Sequence, residues 1–119
     1  MQRKLGDGAI DIVGFMGNYD RTPFGVHKDS QHVITFVVSG EKRMLLWPIE
    51  RFRDRREVPQ NPAKKQVGLL ALDKREFARE RKSAIVLDVR PGDVMYWPPS
   101  YWHCADVGPS GERAEIAVT

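Results

Sequence analysis

Apolar and polar positions along this chain alternate in short runs separated by turn residues, a pattern that predicts strands. Ala9 to Gly17, AIDIVGFMG, mixes β-branched and aromatic residues and reads as a first strand. Asn18 to Pro23, NYDRTP, has turn chemistry. Gln31 to Val38, QHVITFVV, is the strongest strand signal, nearly continuous in apolar and β-branched residues, as expected of a strand buried on both faces. Ser39-Gly40-Glu41 then leads into Lys42 to Trp47, KRMLLW, and the two segments together predict a hairpin closed by Pro48. Ile49 to Lys65 loses periodicity and reads as a loop. Leu72 to Lys82 favours helix, with Asp73 as N-cap and Glu76 at capping-box spacing. Its apolar content is thin, so it should lie on the surface. Further strands are expected at 84–89, 94–97, 102–107 and 114–118. About eight short strands and one helix describe an all-β sandwich or barrel.

Composition narrows the class. The 119 residues suffice for one domain with one core. No apolar run approaches the roughly 20 residues of a membrane-spanning helix, and the N-terminus lacks the apolar stretch of a signal peptide. A single cysteine, Cys104, excludes an internal disulfide framework and fits a reducing cytoplasm. Net charge is +3, yet residues 51–82 hold eleven Lys/Arg against five Asp/Glu. That segment reads either as a basic flap facing an acidic partner or as a solvated excursion. The absence of interleaved aromatics and nucleic-acid motifs favours the second, so nucleic acid is not an expected partner.

Candidate chemistry lies in two stretches. His27 and Asp29 stand two residues apart, so on a strand both side chains face the same way and can converge on one ion. Alone, such a pair is a weak sign. PGDVMYWPPSYWH, residues 91–103, answers it by delivering His103 after a turn, a strand and a proline-rich crossing, under aromatic cover. Two histidines and one carboxylate form the facial triad of non-haem iron oxygenases. Lys42 opens the strand after the Ser39-Gly40 turn. An ammonium facing inward there is costly unless an anion meets it. His32 has the opposite parity from His27, and Cys104 should point away from the metal.

Together these residues resemble the JmjC-type, cupin-like 2-oxoglutarate oxygenases. They are similar in particular to the asparaginyl hydroxylase of hypoxia-inducible factor and to the bacterial ribosomal-protein hydroxylases. The resemblance rests on His27-x-Asp29, SGEKRMLLWP with its cation 15 residues after the first ligand, and GDVMYWPPSYWH. It implies a double-stranded β-helix (a jelly-roll barrel). It also implies Fe(II) held by His27, Asp29 and His103, and Lys42 on the 5-carboxylate of 2-oxoglutarate. The implied reaction is hydroxylation of a C–H bond in a peptide, protein or small-molecule substrate, with hydroxylation favoured over demethylation and release of succinate and CO2. Such enzymes often carry a hydroxyl residue three positions before the first ligand. Phe24 stands there, and Thr22 is the nearest substitute. Val33 occupies another commonly polar position, for which His32 or Thr35 could stand in, and Thr119 is the polar candidate on the final strand. Full-length relatives add an N-terminal extension and C-terminal helices for dimerisation, so this chain is expected to be a minimal or truncated form. An inactive metal-binding sensor or scaffold is the alternative from another class. Cupins independent of 2-oxoglutarate generally use more histidines and a glutamate, which the first motif lacks.

Overall fold

The computed structural model describes residues 3–5, 8–10, 12–18, 21–22, 25–59, 68–108 and 114–119. In chain order the strands are β1 (Arg3–Leu5), β2 (Gly8–Ile10), β3 (Gly14–Asn18), β4 (His27–Lys28), β5 (Val33–Gly40), β6 (Lys42–Pro48), β7 (Glu57–Pro59) and β8 (Gly68–Leu70). After helix α1 (Lys74–Arg81) come β9 (Ile85–Val89), β10 (Val94–Trp97), β11 (Tyr101–Asp106) and β12 (Ala114–Val118). Among the described residues, β1 and β2 pair only with each other. The rest form a four-stranded sheet, β10-β5-β12-β3, and a six-stranded sheet, β7-β8-β4-β11-β6-β9. The fold is therefore mostly β with one helix. Among the described residues the two sheets are not closed into a barrel by any ladder.

The expected first strand is two. Gly8–Ile10 pairs with β1, and Gly14–Asn18 pairs with β12. Apolar alternation does not encode which partner a strand takes. The expected hairpin between residues 31–38 and 42–47 is absent. β5 and β6 are consecutive but lie in different sheets. Only Glu41 separates them, and Gly40 adopts a positive φ of 77° that turns the chain across the molecule rather than back along itself. Gly92, with φ of 95°, accompanies the same crossing between β9 and β10. The region expected to be a loop holds a 3-10 turn at Ile49–Phe52 and strand β7, while residues 60–65 lie outside the described residues.

Two apolar clusters follow from strand parity. Met44, Leu46, Val37, Met95, Trp97 and Ala105 meet between the sheets. Leu45, Trp47, Trp102, Cys104 and Phe52 face the other way, where Leu72 and Phe77 pack against them. Helix α1 is thus a lid on the outer face of the six-stranded sheet. The Trp47 indole N–H donates to the Glu80 carbonyl at 3.0 Å, and the buried Glu80 carboxylate meets Arg51 at 2.8 Å. Arg55 pairs with Glu76, and Arg81 with Asp106. Four arginines of the basic segment, Arg51, Arg55, Arg79 and Arg81, are thus engaged in ion pairs within the chain.

The capping box is formed as the sequence predicts. Asp73 accepts from the Glu76 amide at 2.8 Å, and Glu76 accepts from the Asp73 amide at 3.0 Å. Asp73→Ala should cost about 1 kcal/mol, read as a lower urea midpoint with an unchanged m-value.

Candidate metal centre

Three of the residues singled out from the sequence, His27, Asp29 and His103, meet at one point. β11 lies between β4 and β6, so His103 has His27 directly opposite on one side and Leu46 on the other. Opposed residues on antiparallel strands stand about 4.5–5.5 Å apart at Cα, and here the imidazole centroids are 4.1 Å apart. Asp29 follows His27 with the same parity, and its Oδ2 lies 3.2 Å from His103 Nε2. One donor atom from each of His27, Asp29 and His103 falls within 4.8 Å of the others.

Local contacts orient these groups. Gly25 has φ of 81°, a conformation that disfavours any side chain. The kink brings its carbonyl to His27 Nδ1 at 3.1 Å, so Nδ1–H donates and the lone pair lies on Nε2. Burial, then the neighbouring His103, pushes His27 down from 6.5 to about 4. Burial pushes the Asp29 carboxyl up, but the hydrogen bond and charge from His103 outweigh it and hold the group below its usual value. At neutral pH the pair therefore offers a neutral imidazole and a carboxylate, the forms that bind metal. His103 is buried, and among the described residues its Nδ1 has no hydrogen-bond partner. Ligand bonds of about 2.0–2.2 Å put adjacent donors on one face of an ion roughly 3 Å apart. The His103–Asp29 separation matches that spacing, so the set fits a divalent ion with a facial triad and open positions.

The other candidates separate. Lys42 and Thr35 are buried, and both have inward parity on their strands. The Lys42 ammonium lies 5.8 Å from the centroid of the Phe15 ring, which reaches it from β3 in the opposite sheet. The Thr35 hydroxyl meets that of Thr119 at 2.7 Å. Thr22 goes elsewhere. Its hydroxyl accepts from the Ala105 amide at 2.8 Å, and it also contacts the Cys104 thiol, on the side of β11 facing away from His103. Phe24 lies outside the described residues. Val33 is a partly buried member of the inner cluster. His32 is exposed and bonded to Tyr96 Oη at 2.8 Å, with outward parity. Cys104 is completely buried in the outer cluster, and burial pushes its thiol up to about 11. Aromatic cover for His103 comes from Trp97, with centroids 5.0 Å apart. Trp102, adjacent to His103 on the opposite face of β11, is buried in the outer cluster. A cleft of about 300 Å³ lined by Arg55, Arg56, Val58 and Leu70–Leu72 contains none of the triad.

The sequence matches the model of the cupin-like domain over residues 4–119, and the chain belongs to that family, which includes 2-oxoglutarate oxygenases. No curated protein gives a match.

The depressed His27 value sets a pH dependence. Between pH 6.5 and 4 the unfolded chain binds a proton at this residue and the native chain does not. Metal-free stability should therefore fall as pH drops through that window, by up to about 3 kcal/mol. Asp29 adds a loss of the same sign at lower pH. Urea unfolding at pH 7 and 4.5 should show a smaller drop for His27→Gln than for wild type. Gly25→Ala meets no steric obstacle, so its cost is the backbone strain, about 1–2 kcal/mol. It should also weaken metal binding in a fluorescence-quenching titration.

Proposed function

We propose that this chain is an Fe(II)- and 2-oxoglutarate-dependent oxygenase built on a double-stranded β-helix, with hydroxylation of a C–H bond as its reaction. The convergence of His27, Asp29 and His103 on the inner face of a cupin-like domain carries this reading. In it the three residues hold the iron. Lys42 pairs with Val89 at the far end of β6, four residues from Leu46, which faces His103. Along a strand that offset is about 13 Å, a span that a short dicarboxylate and a lysine side chain fill together. Lys42 would hold the distal carboxylate, with the Thr35–Thr119 hydroxyl pair as the polar contact from the opposite sheet. When bound, iron and 2-oxoglutarate supply the oxidising chemistry, and succinate and CO2 leave. The chain's own residues bind, orient and exclude water: Trp97, Met44, Leu46 and Met95 surround this space with apolar surface.

The motifs around Lys42 and His103 are similar to those of hydroxylases acting on peptidyl side chains, so a peptide or protein is the first substrate to test. One observation favours a binding-only module. Thr22, the nearest substitute for the hydroxyl that such oxygenases often carry before the first ligand, is committed to the Ala105 amide, and Val33 is apolar.

Anaerobic addition of Fe(II) and 2-oxoglutarate should give the weak visible charge-transfer band of the chelate. Asp29→Ala should abolish it. Lys42→Ala should raise the 2-oxoglutarate concentration required by about tenfold or more, the equivalent of about 1.4 kcal/mol. A folded, iron-loaded wild type without the band excludes the oxygenase reading. A band with no succinate formed under O2 with candidate substrates favours the binding module.

A further inference from the structure

Trp97 carries a polar hydrogen that the fold leaves without an acceptor. The residue is 4% exposed, and its Nε1 has no hydrogen-bond partner among the described residues. An indole nitrogen can only donate, and a buried donor left unmet is rare and costly in native proteins. The ring lies on the inward face of β10, in the four-stranded sheet, with its centroid 5.0 Å from that of His103. Once an ion takes His103 Nε2, the imidazole proton stays on Nδ1, so His103 offers the indole no acceptor. Trp102 Nε1 is also unmet, but that residue lies in the outer cluster, on the face of β11 away from the triad. Of the two, Trp97 is the one that borders the space between the sheets.

Strand register orders this wall of the space. Trp97 is opposite Val33 on β5, and Met95 is opposite Thr35, one step further in. Val33 and Met95 have no polar hydrogen, and the Thr35 hydroxyl is bonded to that of Thr119. After another step Val37 is opposite Ala117, which is opposite Phe15, the ring beside Lys42. The six-stranded wall runs in the same order, from Leu46 opposite His103 to Lys42 four residues away. Trp97 therefore marks the metal end of the space, and Phe15 the lysine end.

We propose that the Trp97 indole N–H donates to the carboxylate by which an organic acid joins the metal ion, and so fixes that end of the acid against the four-stranded sheet. The identity of the acid, 2-oxoglutarate, rests on the function proposed above, whereas the need for an acceptor at Trp97 does not. A carboxylate suits the position because it can bind an ion through one oxygen and keep the other for an N–H. A hydrogen bond to an ionised acceptor is also roughly twice as strong as a neutral one. Met44, Leu46 and Met95, apolar members of the same cluster, supply no competing donor from their side chains.

The test is a proton–nitrogen NMR spectrum of the indole N–H groups in the 119-residue chain loaded with Zn(II), a diamagnetic ion that suits the same ligands. The three tryptophans give three signals, and Trp97→Phe assigns the one concerned. Titration with 2-oxoglutarate should move the Trp97 signal downfield. The signals of Trp102 and of Trp47, which already donates to the Glu80 carbonyl, should stay in place. Trp97→Phe keeps an aromatic ring against His103 and removes the N–H. It should raise the 2-oxoglutarate dissociation constant about tenfold and leave that of Zn(II) unchanged. If this variant fails to fold, assignment through contacts with the His103 ring keeps the wild-type titration decisive. A Trp97 signal that moves on addition of Zn(II) and not again with the acid assigns the N–H to a water on the ion and overturns the proposal. So does a signal that stays still while calorimetry shows 2-oxoglutarate binding. A signal that answers pyruvate as it does 2-oxoglutarate, with no tighter binding of the latter, upholds the donor and sinks 2-oxoglutarate as the acid. If neither acid binds the Zn(II)-loaded chain, the proposal and the oxygenase reading fall together.

Discussion

The short pairing of β4 with β11 is the contact on which the candidate site depends. β4 is two residues long, yet it is held on both sides, by β11 through His103 and by β8 through Leu69 and Gly68. That bracketing fixes His27 opposite His103 and carries Asp29 to the same spot. A shift of one residue in this register would turn His27 and Asp29 to the outer face, beside Trp102 and Cys104. The ladder on the other side of β11, six residues against β6, supplies the stiffness that so short a strand lacks.

The outer cluster supports the same strands from behind. Trp47 and Trp102, opposite each other on β6 and β11, are both almost completely buried. The 3-10 turn contributes Phe52 between them, edge-on to each ring. Helix α1 covers this layer through Phe77 and is pinned by Glu80, whose carbonyl and carboxylate bind Trp47 and Arg51. A buried carboxylate is costly unless ion-paired, and two arginines meet this one. The charged segment thus stabilises the back of the sheet that carries the histidines.

Strand positions, the capping box and the pairing of His27 with Asp29 on one face were legible because each depends on local spacing, whereas the approach of His103 depends on the β4–β11 pairing and was pointed to by the family resemblance. Parity alone puts His27 with Asp29 and separates His103 from Cys104. Partner choice was not legible. The Ser39-Gly40-Glu41 sequence has turn composition, but composition does not distinguish a turn within one sheet from a crossing between two. Gly40 shows its role only through its φ. Thr22 was misleading for a related reason: a hydroxyl near the ligands in sequence can satisfy a backbone amide on the wrong side of β11. No local pattern reveals which buried N–H groups need such an acceptor. The Thr35–Thr119 pair joins residues 84 apart in sequence, and only the assembled sheet brings them together.

All three candidate metal ligands come from β4, β11 and the residue just after β4, within the six-stranded sheet. Thr35, Thr119 and Phe15 approach from the other sheet. Lys42, on β6, belongs to the same six-stranded layer as the ligands. In the proposed function that one layer would carry both the ion and the charge that meets the far end of the organic acid, and the four-stranded layer would supply the opposite wall. Substitutions in that wall can then reshape the space between the sheets without moving a ligand out of register.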